Sequence, residues 1–283
     1  MGQEITRAKT QHSRTDGPRR TRVTARDASL AQVRAAHERL DRVAALARDP
    51  LRFVREFSEI RDRELAVLLC ALLAFGNVTT IGNKLRALFA LLDGHPAHTS
   101  ALGRVVLRAR LQGFVHRTFT GEAIADLLTA AHAMQSREGS LFGPLRAAYD
   151  REGALRPALA QWVARLRTDA FGSDPSRSAK HLLPDPMGPS ACKRLLLLCR
   201  WISREDDGVD LGMGVLPTEA LLVPLDVHVH RVGLALGLTH CARPTWEAAE
   251  ELTASLRALD PRDPVRYDFA LCHTEIALRL TKI

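Results

Sequence analysis

Aromatic residues make up only 5% of this 283-residue chain, which is 46% apolar overall. Leucine, alanine and valine must therefore fill the core. Cysteine is scarce too. The five cysteines, Cys70, Cys192, Cys199, Cys241 and Cys272, include no CxxC pair. Their odd number and apolar neighbours fit reduced core thiols, whereas a zinc ribbon or a Cys-ligated iron–sulfur cluster needs tighter clustering. The longest apolar run, residues 65–75, is about half the length that crosses a bilayer. The opening MGQEITRAKTQHSRTDGPRRTR lacks the apolar core of a secretory signal. These absences predict a cytoplasmic protein, nucleoid-associated if it binds DNA, with no membrane partner, no metal and no cofactor.

Lysine is the other shortage. Of 40 basic residues only five are lysines: Lys9, Lys84, Lys180, Lys193 and Lys282. Where charge alone is needed, this sequence uses arginine. A retained lysine marks a place to look for an amine, because only lysine can lose its proton and act as a nucleophile. The net charge is +8, and residues 1–28 hold seven basic residues against three acids. Half the excess thus lies on a polar, basic segment whose composition predicts a disordered tail. The mildly basic remainder fits nucleic-acid binding or a plain solvated surface.

From residue 28 onwards the pattern is helix after helix. Residues 30–49 carry Val33, Leu40, Val43 and Leu46 at near-helical spacing before Pro50. Residues 61–76 are apolar on all sides, the mark of a buried central helix ending at Gly76. Further helices are expected over 79–94, 99–111, 121–136, 141–150, 153–168, 191–204, 245–259 and 263–280. No stretch alternates like a half-buried strand, so strands could sit only in loops. Residues 169–190 contain four prolines and two glycines, which is turn chemistry. The expected fold class is all-α.

Two residues stand out. Ser190 is a plausible N-cap, placing Lys193 in the first turn of a helix. There the helix dipole, Arg194 and burial against leucines all favour the neutral amine. The alternative is an exposed lysine whose stem covers part of the preceding hairpin. In PLDVHVHRVGLALGL, residues 224–238, Asp226 reads as the N-cap of a helix from Val227 towards Gly237. Leu225, Val229, Val232 and Leu236 form its buried stripe. Asp226, His228 and His230 could together hold a metal on a strand, giving a metal-dependent hydrolase. On a helix the two histidines point about 200° apart and cannot share an ion. His228 then lies on an outer surface near Arg231, and His230 is partly buried.

The motifs HLLPDPMGPSACKRLLLLCRW and PLDVHVHRVGLALGL resemble those of the helix–hairpin–helix DNA glycosylase superfamily. Its members place a Pro/Gly-rich hairpin before a helix with a lysine, and a later aspartate at another helix start. The separation of Lys193 and Asp226 is closest to the archaeal 8-oxoguanine glycosylase branch. Residues 28–280 also resemble a bacterial family of this kind. One departure is Asp185, which stands where the superfamily hairpin has its first glycine.

The resemblance implies two helical lobes with a cleft between them: residues 29–60 plus 215–283, and residues 61–214 ending in the hairpin 183–190. It implies a DNA-repair glycosylase with lyase activity on an oxidised purine. Lys193 and Asp226 would be catalytic. Lys180, Met187, Gly188, Ser190, Arg194, Arg200 and Arg231 would face DNA. Asn77, Trp201, Asp268 and Phe269 would line the base pocket. The partner is double-stranded DNA with a damaged base, bound by a monomer without a protein partner. The rival on the same scaffold binds DNA or RNA without catalysis.

Overall fold

The computed structural model describes residues 25–273, apart from the side chain of His273. The fold is all-α, with one two-stranded hairpin among the described residues. The first helices are α1 (Ala25–Glu38), α2 (Arg42–Arg48) and α3 (Leu51–Val54). Residues 25–28, expected in the tail, are already helical, and the rest of that tail lies outside the described residues. The single helix expected over 30–49 is two. Asp41 breaks it by capping α2, its carboxylate accepting the Ala44 N–H at 3.0 Å. Val43, read as core, is consequently 81% exposed.

Next come α4 (Ile60–Leu72), α5 (Val78–Leu91), α6 (Pro96–Ala101) and α7 (Arg104–Arg110). Every residue from Leu65 to Leu73 is buried, so α4 is the central helix its composition predicts. Gly103, at φ 88, separates α6 from α7 within the expected 99–111 helix. The strands β1 (Val115–His116) and β2 (Phe119–Thr120) pair antiparallel. They lead into α8 (Gly121–Glu138), α9 (Gly143–Glu152) and α10 (Leu155–Phe171). Gly121 lies so close to the Leu111 carbonyl that a Cβ would come within 1.9 Å of its oxygen. The α7–α8 packing therefore requires glycine there.

The last group is α11 (Arg177–Leu182), α12 (Lys193–Ser203), α13 (Val227–Ala235), α14 (Trp246–Leu256) and α15 (Asp268–His273). The expected 263–280 helix begins as a 3₁₀ turn, Pro264–Tyr267, and its end lies outside the described residues. α4 packs on α3, α6, α8 and α12, and α8 packs on α7 and α10. The chain returns to its beginning, because α1 packs on α15 and on Pro264–Tyr267. α13 meets both α14 and α15. Lys193 and Asp226 thus start helices from two packing neighbourhoods.

Candidate active site

The loop between α11 and α12 is built by Asp185. Its carbonyl accepts the Gly188 N–H at 3.1 Å, and its Oδ1 accepts the Met187 N–H at 2.9 Å. Asp, Pro186 and Gly188 occupy the turn positions those residues favour. The aspartate that departs from the glycosylase pattern thus has a local role here. Arg156 of α10 clamps the turn from outside, donating to the Pro186 carbonyl at 3.0 Å and the Gly188 carbonyl at 3.2 Å. Its remaining Nη reaches Glu247 of α14 at 2.9 Å.

The N-cap of α12 is Cys192, held in the left-handed region at φ 50, and not Ser190. Ser190 acts one step earlier, its Oγ accepting the Cys192 N–H at 3.1 Å. Lys193 is therefore the first residue of the helix. Asp226 is the N-cap of α13, with Oδ1 accepting the Val229 N–H at 2.8 Å. The second carboxylate oxygen, Oδ2, lies 3.6 Å from Lys193 Nζ. The two side chains are 32% and 39% exposed, so the pair is open to a ligand from solvent.

Two further groups feel the charges of this pair. Asp49, between α2 and α3, accepts the Leu51 N–H at 2.8 Å. Burial pushes its carboxyl up to about 6, against the pull of that N–H and of the charges on Arg200 and Lys193. Cys272 of α15 lies 3.6 Å from Asp268 Oδ1. Burial raises its thiol far above the ordinary range, aided by Asp268 and Asp226 and opposed by Lys193 and Arg200. Both groups therefore sense the charge on Lys193. Neither was expected from the sequence. The only signal for Asp49 was an acid directly before the helix-breaking Pro50.

Several expected DNA-facing residues are structural instead. Arg194 is buried and donates to the carbonyls of Leu72 at 2.6 Å and Leu182 at 3.1 Å, and also to that of His181. It satisfies carbonyls at the ends of α4 and α11 that lack helical partners. Burial lowers its pKa to about 10. Arg200 is 2% exposed and pairs with Asp268 and with Asp210, at 3.3 Å for the latter. Burial opposes its charge, but the two carboxylates outweigh that and raise its pKa. Arg204 joins the same network through Asp210, Asp207 and Asp263.

The expected base pocket is corrected in the same way. Asp268 is committed to Arg200, whose guanidinium lies 4.5 Å from the buried Phe269 ring. Trp201 is fully buried core. Asn77 is the N-cap of α5, accepting the N–H groups of Thr79 and Thr80. Met187, at 61%, and Arg231 are exposed. Lys180 is exposed and lies 3.6 Å from Asp174.

Helical geometry also separates the two histidines. His230 is buried with Nε2 at 2.8 Å from the Cys241 carbonyl, while His228 is half-buried. No group of three or more His, Cys, Asp or Glu able to hold a metal ion occurs among the described residues. No described helix is long and apolar enough to cross a membrane.

Residues 49–277 match the sequence pattern of a family described as a protein of unknown function, DUF2400. The chain belongs to the DUF2400 family. No curated protein and no solved structure matches it. The DUF2400 match opens at Asp49 and contains Lys193, Asp226 and Cys272. It also contains Arg156 and the whole Arg200 network. α1 precedes it.

Proposed function

We propose that this chain is a DNA glycosylase with lyase activity, acting on duplex DNA that carries an oxidised purine. One observation carries the reading: Lys193 Nζ stands 3.6 Å from Asp226 Oδ2, each at the start of its own helix, with a turn-rich hairpin leading into the lysine. The carboxylate stands where a base adjacent to a nucleophile stands, able to take up a proton from the amine. The likeness to the helix–hairpin–helix glycosylases supports the same residues. In this reading the cleft runs between the α4–α12 neighbourhood and the α13–α15 neighbourhood.

The chemistry balances with the groups present. Proton transfer from Lys193 to Asp226 frees the amine lone pair. The damaged nucleotide leaves the stack, and the amine attacks C1′ of its sugar. The N–C1′ bond forms as the bond to the base breaks. The departing base takes up the proton held by Asp226. The extra proton on the new secondary ammonium passes to O4′ as the C1′–O4′ bond breaks, and the opened sugar is left as a Schiff base. Abstraction of a C2′ proton then expels the 3′ phosphate and cuts the strand. Asp226, ionised again, stabilises the cationic sugar in between. Backbone N–H groups at the α12 start, those of Lys193 and Arg194, face the DNA phosphates.

The test is borohydride trapping. The protein is mixed with duplexes carrying single oxidised purines or abasic sites, and the reduced covalent adduct is measured. We expect an adduct that Lys193→Gln abolishes. Binding of duplex with no adduct on any lesion would leave a non-catalytic binding protein on this scaffold.

A further inference from the structure

The β1–β2 turn holds a second feature that the reaction above does not use. Partner residues His116 and Phe119 leave only Arg117 and Thr118 in the turn. Arg117 sits at φ 55, a conformation that turns of this length usually give to Gly or Asn. A non-glycine residue held there costs free energy, and such outliers concentrate at functional positions. The side chain is placed with care. Its guanidinium lies 4.6 Å above the Phe75 ring. Gly76 makes the room, since a Cβ on it would stand 3.1 Å from Arg117 Nη1. His181 of α11 packs edge-on against Phe75 at 5.2 Å, and its Nδ1 is 2.7 Å from Thr118 Oγ1. Ser178 Oγ accepts the Thr120 N–H at 3.3 Å, tying the strand pair to α11.

The field here has one sign. Burial and the charges on Arg194, Arg177 and Arg117 all disfavour the protonated His181 ring. Lys84 and Arg117 act likewise on His116. Lys84, Arg117 and Arg177 pair with no carboxylate among the described residues, while neighbouring Lys180 is answered by Asp174. Arg117 and Arg177 are exposed. Their exposure to solvent suits an extended polyanion better than an enclosed small ion. Arg194 connects this surface to the lysine helix, because it follows Lys193 and bonds the His181 carbonyl.

We propose that Arg117, with Arg177 and Lys84, forms a second phosphate-binding surface that grips the backbone of duplex DNA beside the hairpin. This proposal rests on the DNA-enzyme reading above. The stacked guanidinium is pre-positioned, so less side-chain entropy is lost on contact.

The experiment measures binding of the full chain to a lesion-free duplex over a series of salt concentrations. The comparison covers wild type, Arg117→Ala, Arg177→Ala and a control, Arg146→Ala, whose residue pairs with Asp150 on α9. Each of the first two variants should weaken binding about fivefold and reduce the salt slope by about 0.9, the value for one lost phosphate contact. The control should match wild type. Melting curves establish that each variant is folded, and Arg177, on a different element, stands in if Arg117→Ala is not. Wild-type slopes in both variants, or a wild type that does not bind duplex, would overturn the surface. Borohydride adducts of the wild type are scored separately. Adducts with unchanged slopes sink only this surface, and changed slopes without adducts sink only the glycosylase.

Discussion

At the residue scale, Asp49 shows how placement alters a common side chain. It is an ordinary helix-end aspartate by sequence. In the fold it is half-buried within reach of the charges on Arg200 and Lys193, and desolvation holds its carboxyl at about 6 instead of 3.8. A carboxyl raised in the folded state adds stability at pH values below its unfolded pKa. That contribution is lost as pH rises through about 6. Asp49→Asn mimics the protonated form and can still accept the Leu51 N–H. Its melting temperature should therefore match wild type at about pH 3.5 and exceed it at about pH 8, by the equivalent of about 2 kcal/mol. Thermal melts at both pH values check this. An advantage that does not grow with pH would remove the buried-charge account.

At the element scale, the site depends on two helix starts. α13 begins where Asp226 supplies one oxygen to the Val229 N–H and leaves the other for Lys193. These two duties can be separated. Asp226→Asn keeps a capping oxygen and should melt within about 0.5 kcal/mol of wild type, while adduct formation collapses. Asp226→Ala loses both and should fall by about 1 kcal/mol as well. Denaturant titration and borohydride trapping on the same preparations make the comparison. Equal stability losses would leave the capping account without support. The start of α12 is different, since no side chain caps it. Cys192 in its left-handed conformation and the Asp185 turn set its position, with Arg156 clamping the loop.

At the scale of the whole molecule, a buried charge network joins parts distant in sequence. Arg200 of α12 and Arg204 at its C-cap meet Asp210 and Asp207 from the following loop, Asp263, and Asp268 of α15. Asp210 is fully buried between the two arginines. Removing it strands their charges, a change that typically costs about 3–5 kcal/mol. Asp210→Ala should lower the melting temperature by about 10 °C, a fall read by calorimetry. A shift within a degree or two would show that water replaces the carboxylate. Through Arg200 and Asp268 the network also joins α12 to α15.

Much was legible without coordinates. The apolar periodicity and the absence of alternating stretches determined an all-α protein, because a helix buries a face set by local spacing. The aspartate at the start of α13 was legible because a cap is a local interaction. Lys193 was noticeable through the rarity of its type. Burial of charge was not legible. Arg194, Arg200 and Asp268 read as surface groups, since arginine and aspartate are rarely buried without partners. Their partners come from distant segments that only the packed chain brings together. The same holds for Asp49, and for Gly76 beneath Arg117. The sequence by itself determined the helical class and the aspartate cap at the start of α13. Only the tertiary structure decided that Lys193 and Asp226 face each other, because that distance depends on how the neighbourhoods of α12 and α13 come together and on no local preference of either.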